Sequence, residues 1–231
     1  MPLKIGITVS ATNYANYPRW IKGDDDIEII ELSFEKENLS EVSNCDGIVL
    51  TGGVDIHPGF HLTNYSLHYD NAPKDFNVRR DEFEFSVLER SLELEIPILG
   101  ICRGLQLINC FYKGTLVLDL GKKNNVHKKN SDDDKIHGVK IVDKSLLHEI
   151  CGIDSGIVNS AHHQVIDKLG NSLRVAANSE DGVPEAVELK EKYPFFLAVQ
   201  WHPERMPDQE NALAGKLLER FLQEVRATKK K

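Results

Sequence analysis

An α/β fold built on a mostly parallel sheet is what this sequence predicts, and three observations carry the prediction. In the first half, short β-branched runs alternate with an amphipathic stretch: KIGITVS (4–10), IEIIEL (27–32) and GIVLTGG (47–53) read as strands, 77–95 as a helix, and ILGIC (98–102) as a further strand. Strand–helix–strand order of this kind points to a parallel sheet covered on both faces. The second half is denser in strands, with short loops between them, so several should be antiparallel additions. A chain of 231 residues is long enough for one α/β domain with a sizeable core, and no linker or internal repeat divides it, so 1–231 is read as a single domain.

The elements follow in order. In the helix over 77–95, Val78, Phe85, Leu88 and Leu92 fall on one face and Glu84, Glu89 and Arg90 elsewhere. Pro97 opens ILGIC, and a helical pattern begins directly after Cys102. TLVLDL (115–120), HGVKIV (137–142), GIVNS (156–160), LRVAAN (173–178), PEAVEL (184–189) and FFLAVQW (195–201) read as strands. The last helix is expected from about Asp208 to Val225, with Leu213, Leu217 and Phe221 four residues apart. Two loops stand out: 54–76, without periodicity and of a length that usually marks function or mobility, and 121–135, purely polar and expected to be an exposed excursion.

Charge and composition narrow the classes of function. A net charge of −8 disfavours nucleic acid and anionic membrane surfaces as partners. The apolar runs are too short to span a bilayer, and MPLKIGITVSATNY lacks a signal-peptide h-region, so a cytoplasmic location is expected. The four cysteines (45, 102, 110 and 151) show no CxxC spacing and read as free thiols. Cys110 reads as a core residue.

The stretch GICRG (100–104) carries the first chemical signal. A strand that turns sharply into a helix exposes the residue at the turn above the sheet, and flanking glycines leave room for the backbone, as in the nucleophile elbow of α/β hydrolases. The helix N-terminus favours a thiolate at Cys102 and points N–H groups, notably that of Arg103, at a developing oxyanion. A cysteine nucleophile needs a base, and the base an orienting group. AVQWHPE (198–204) supplies His202 and Glu204, two apart in an expected extended segment, so both project to one side. Pro203 keeps the pair at the strand end, where ligands sit in parallel sheets. LTGGVD (50–55) offers a second oxyanion donor near Gly53.

NSAHHQVI (159–166) places Ser160, His162, His163 and Gln164 where they could read polar groups of a substrate. A metal held by His162, His163, His202 and Glu204 is the rival reading. Adjacent histidines rarely share an ion, and no HExxH or Cys-rich spacing is present, so no metal is expected. The remaining histidines are too scattered to interpret. The acidic runs at 24–26 and 132–134 lack the rest of a calcium loop and read as solvated charge, as does the lysine tail. No GxxxxGK[ST] or GxGxxG marks a nucleotide site, and no cofactor is expected.

Together, GICRGLQLIN, NSAHHQ and AVQWHPE resemble the class I glutamine amidotransferase domain. The resemblance is to its free-standing hydrolase branch, the gamma-glutamyl-gamma-aminobutyrate hydrolase-like proteins of peptidase family C26. RRDEFEFSVLERSLELEIPILGICRG, GTLVLDL and SEDGVPEAVEL extend it over nearly the whole chain. It implies a three-layer, flavodoxin-like sandwich. It also implies Cys102 as nucleophile, His202 as general base and acid, Glu204 as its orienting group, and Gly53 and Arg103 as oxyanion donors. Gln106 would help hold a gamma-glutamyl group, and SAHHQ would border the substrate's amino-acid end. The implied activity is hydrolysis of the gamma-glutamyl amide bond of a small compound through a thioester. The alternative is a glutaminase subunit that supplies ammonia to a separate synthetase. Oligomeric state stays open, a homo-oligomer included. One position departs from the family pattern: Lys113 stands where a second glycine is common.

Overall fold

The structure, a computed structural model, describes residues 2–23, 26–129 and 133–229. The acidic runs at 24–26 and 132–134 and the lysine tail therefore lie partly outside the described residues. Among those described, eleven strands are present: β1 (Leu3–Thr8), β2 (Ile27–Leu32), β3 (Gly47–Leu50), β4 (Ile98–Ile101), β5 (Thr115–Val117), β6 (Lys135–Ile141), β7 (Ser155–Ser160), β8 (Val165–Lys168), β9 (Leu173–Ser179), β10 (Pro184–Leu189) and β11 (Phe196–Val199). The helices are α1 (Asn16–Lys22), α2 (Val78–Glu93), α3 (Arg103–Phe111), α4 (Asn124–His127), α5 (Leu146–Cys151) and α6 (Leu217–Lys229).

Side-chain alternation along the central strands sorts the core into two layers. Ile5, Ile7, Val49, Leu99, Ile101, Leu197 and Val199 face one way and meet Tyr17, Trp20 and Ile21 of α1 and Leu217, Phe221 and Val225 of α6. Ile48, Leu50, Ile98, Phe196 and Ala198 face the other way and meet Val87 and Leu88 of α2 and Leu105 and Ile108 of α3. The result is three layers, helix–sheet–helix. The large sheet runs in the order β2-β1-β3-β4-β11-β10-β9-β6-β7. Its first five strands are mutually parallel, and β10, β9, β6 and β7 extend it antiparallel. β5 and β8 form a separate antiparallel pair. The fold expected from the sequence is the one found.

Three local readings change. α2 starts where Asn77 caps it, its side chain accepting from the Arg80 amide at 3.0 Å. Its polar residues are not all on the outside, because Arg80, Asp81 and Glu84 are buried. The last helix begins later than Asp208: the Asn211 side chain accepts from the Leu213 amide, Ala212–Lys216 forms a π turn, and only then does α6 run on to Lys229. The 121–135 segment is not simply an exposed excursion, since α4 folds within it and His127 has no exposed surface. Lys113 sits at φ 67°, a left-handed conformation that explains why glycine suits this position.

The buried charges join the layers. Arg103, first residue of α3, pairs through its two terminal nitrogens with Glu84 and Asp81 of α2. Arg80 donates from Nε to Glu84 at 2.7 Å and from its Nη2 to the Gly52 carbonyl at 2.9 Å. Burial alone would raise the Glu84 carboxyl, but the two guanidiniums outweigh it and hold it below its usual range. Removing Glu84 leaves the buried Arg80 without its carboxylate and Arg103 with Asp81 alone, and breaking such a network costs about 3–5 kcal/mol. Glu84→Gln is therefore expected to lower stability by that amount, read as a fall in the urea midpoint with an unchanged slope.

Candidate active site

Cys102 lies between β4 and α3 with φ 52° and ψ −102°, a strained conformation for a residue with a side chain. Two features make this turn possible. The Cys102 amide donates to the Val199 carbonyl at 2.8 Å, which ties the end of β4 to that of β11. At Gly104 the helix passes directly over the Leu50 carbonyl of β3, and any Cβ there would collide with it. The amides of Arg103 and Gly104 open α3 and have no preceding turn of carbonyls to bond, so they point out of the helix end.

His202 follows β11 by three residues and reaches the same spot. Its Nδ1 lies 2.8 Å from Glu204 Oε1, which leaves the other ring nitrogen for the sulfur of Cys102, which lines the same cleft. The pair is not made by an extended segment, as the sequence suggests. Pro203–Arg205 coils into a 3₁₀ turn that brings Glu204 back beneath the imidazole. The His202 amide donates to Asn159 Oδ1 at 3.0 Å, which anchors the turn to β7. Burial by itself would lower the His202 pKa; the Glu204 carboxylate and then Cys102 overcome this and push it up to about 10.

These groups open into a cleft of about 360 Å³ lined by Thr12, Asn13, Tyr17, Gly53, Cys102, Lys129, Ala161, His202 and Arg205. Gly53 adopts φ 142°, and a Cβ there would strike the Arg80 guanidinium. The neighbouring Gly52 amide is taken by the Tyr17 hydroxyl at 3.0 Å, and of the two glycines it is Gly53 that lines the cleft.

The other residues singled out in the sequence do not line this cleft. Gln106 is turned into the core, its amide donating to the Gln164 carbonyl at 3.1 Å and to Gln200 Oε1 at 3.3 Å. The Ser160 hydroxyl donates to the His127 carbonyl at 2.7 Å. His162 bonds the Gln164 carbonyl through Nδ1 at 3.2 Å and turns Nε2 toward Glu185 Oε1 at 3.5 Å. His163 lies between Asp55 Oδ1 at 3.0 Å and Asp119 Oδ2 at 3.3 Å, and Gln164 donates to the Tyr69 hydroxyl at 3.2 Å. The Tyr69 hydroxyl donates in turn to Asp55 at 2.7 Å. The 54–76 loop is thus tied down by polar contacts. Of the SAHHQ segment only Ala161 borders the cleft. The histidine–carboxylate set weighed as a metal site does not converge either, because its members face three different ways. Tyr17, Asn13, Lys129 and Arg205, which do line the cleft, carry no local pattern that distinguishes them in the sequence.

An α/β sandwich with a cysteine at a strained strand–helix turn, faced by a carboxylate-bound histidine, is the architecture of class I glutamine amidotransferase domains. Two solved structures share the fold over nearly their whole length. One is a Thermoplasma acidophilum protein described as a GMP synthase subunit (TM-score 0.69, 18% identity, 100% of this chain and 97% of that one). The other is the glutaminase domain of Trypanosoma brucei CTPS (TM-score 0.63, 16% identity, 97% and 94%). The peptidase C26 family pattern matches residues 11–204. A Rickettsia prowazekii protein described as glutamine amidotransferase-like is 33% identical over 223 residues, 78% of each chain. The gamma-glutamyl-gamma-aminobutyrate hydrolase of Escherichia coli is 34% identical over 187 residues, covering 77% of this chain and 70% of that protein. The chain belongs to the peptidase C26 family, and is an enzyme of the hydrolase or glutamine amidotransferase type. No helix among the described residues is long and apolar enough to cross a membrane.

The geometry at Gly53 sets a test. Gly53→Ala must relax φ and displace Arg80 from its seat, and strain of this kind costs about 1–3 kcal/mol. The expected result is a lowered thermal midpoint, with a larger drop for Gly53→Val.

Proposed function

We propose that this protein hydrolyses the gamma-glutamyl amide bond of a small gamma-glutamyl compound, with Cys102 as nucleophile, His202 as general acid and base, and Glu204 as the group that orients His202. The observation that carries the reading is the arrangement of the three. The sulfur stands at a helix N-terminus in one cleft with an imidazole whose Nδ1 is held by a buried carboxylate.

In the proposed reaction the Cys102 thiolate attacks the side-chain carbonyl carbon. The resulting oxyanion is received by the amides of Gly53 and Arg103, and losing one such donor typically costs ~100- to 1000-fold in rate. The protonated His202 gives its proton to the leaving nitrogen, the C–N bond breaks, and a thioester with the glutamyl group remains. Acylation removes the charge on sulfur, and with it one of the influences holding the imidazole protonated. His202 then accepts a proton from water, which attacks the thioester. Collapse of the second tetrahedral adduct releases glutamate and the free thiolate. The relative from Escherichia coli supports the substrate class by its name. The cleft, about 360 Å³, suits a small molecule.

The purified protein incubated with glutamine and a panel of gamma-glutamyl amines is expected to release glutamate from at least one amine. Cys102→Ala should remove turnover and keep the fold, His202→Asn should cost several orders of magnitude, and Glu204→Gln less than either. Turnover that appears only when a synthetase is added would favour a glutaminase subunit instead, and full activity in Cys102→Ala would overturn both readings.

A pH profile gives a second test. Because the His202 pKa is raised to about 10, the imidazolium is present throughout neutral pH and is lost only as pH climbs through that value. The alkaline limb of kcat/KM should therefore lie near pH 10 in the wild type. Glu204→Gln removes the carboxylate that does most to raise it, so the limb should move to lower pH.

A further inference from the structure

Behind the cleft wall, three histidines and a glutamate from four separate segments meet in the interior. His127 ends α4, His137 lies on β6, His162 follows β7, and Glu185 lies on β10. His127 Nδ1, His137 Nε2 and His162 Nε2 each lie 3.5 Å from the same oxygen, Glu185 Oε1. The side chains of His127, His162 and Glu185 are 0–1% exposed and that of His137 is 6% exposed. None of the three inward-facing nitrogens has a hydrogen-bond partner among the described residues, and neither Glu185 oxygen has one. Buried polar atoms normally find partners, and here four orphans, one from each residue, lie within 4.8 Å of one another.

The outer nitrogens explain what faces inward. His127 Nε2 lies 3.1 Å from Asp181 Oδ1, His137 Nδ1 3.2 Å from the Gly138 carbonyl, and His162 Nδ1 3.2 Å from the Gln164 carbonyl. A carboxylate or carbonyl only accepts, so each outer nitrogen carries the proton. In a neutral ring the inner nitrogen then presents a lone pair. Three lone pairs aimed at a carboxylate repel one another unless a cation stands between them. An outer hydrogen bond of this sort is how proteins orient metal-ligating histidines.

We propose that His127, His137, His162 and Glu185 bind a divalent zinc ion in a closed, tetrahedral, structural site. A tetrahedral zinc with Zn–N distances of about 2.0–2.1 Å has donor–donor edges of about 3.4 Å. Three edges here are 3.5 Å, and no pair of donor atoms is more than 4.8 Å apart. Three imidazoles and one carboxylate suit zinc, whereas calcium or magnesium would call for oxygens. Four protein donors leave no open position, so the ion would take no part in the chemistry at Cys102. It would instead brace the cleft wall. Lys129 and Ala161, both in that wall, stand two residues beyond His127 and one before His162. This set differs from the one considered in the sequence, which shared only His162 with it.

The test measures metal in tag-free protein carrying Cys102→Ala, so that the reactive thiol contributes none. Stoichiometric zinc should co-purify, and chelator-stripped protein should regain its thermal midpoint on titration with Zn²⁺. Co²⁺ in its place should give the intense visible bands of a tetrahedral site. His137→Gln should lose the metal, and Asp181→Asn, which removes only an outer partner, should weaken zinc binding by about 10- to 100-fold. Should the histidine variant fail to fold, the Zn²⁺ and Co²⁺ titrations of the stripped parent decide the matter. Stripped protein that shows neither a shifted midpoint nor tetrahedral cobalt bands overturns the proposal, as does zinc retained in full by His137→Gln.

Discussion

The Cys102 turn depends on the buried charges beneath it. A backbone at φ 52° with a side chain attached does not persist by itself; surrounding contacts must over-determine it. Arg103, the next residue, is clamped by Asp81 and Glu84, and Glu84 is shared with Arg80, which reaches across to the Gly52 carbonyl. One network thus fixes the start of α3, the face of α2 and the glycine loop after β3. Any shift in one is transmitted to the others, because a buried guanidinium that loses its carboxylate has no water to replace it.

The site forms where the sheet changes character. β4 and β11 are parallel neighbours, and β10 on the far side of β11 runs antiparallel. The C-terminal ends of β3, β4 and β11 therefore converge, bringing Gly53, Cys102 and His202 to one edge from three distant parts of the chain. The antiparallel half contributes the support. Asn159 on β7 holds the His202 amide, and the segment following it supplies Ala161 to the cleft.

What was legible in the sequence was what is encoded locally. GICRG and HPE announce themselves because a strand end, a helix start and two or three reactive residues fall within a few positions. The layered fold was legible for the same reason, since alternation and periodicity are short-range patterns. Residues whose role depends on distant partners were not. Glu84 reads as one more charge on a helix until Arg103 is packed against it. Gln106 sits one turn past Cys102, as a substrate contact would, but Gln164 and Gln200 claim its amide. His127 lies in a stretch so polar that burial is not suggested, and His137 sits in an ordinary strand. Only the pairing of β6 with β7 and β9, and of β9 with β10, brings them beside Glu185 and His162.

The position of β11 has a consequence for the order in which the chain can assemble. This strand is inserted between β4 and β10, so β4 lacks a neighbour on one side until residues 196–199 arrive. Parallel pairing over so long a separation is slow, because the intervening chain must be closed before any contact rewards it. The elbow bearing Cys102 is synthesised 100 residues before His202. A nascent or truncated chain therefore holds a thiol without its imidazole, and the chemistry is withheld until the last of the described strands has docked.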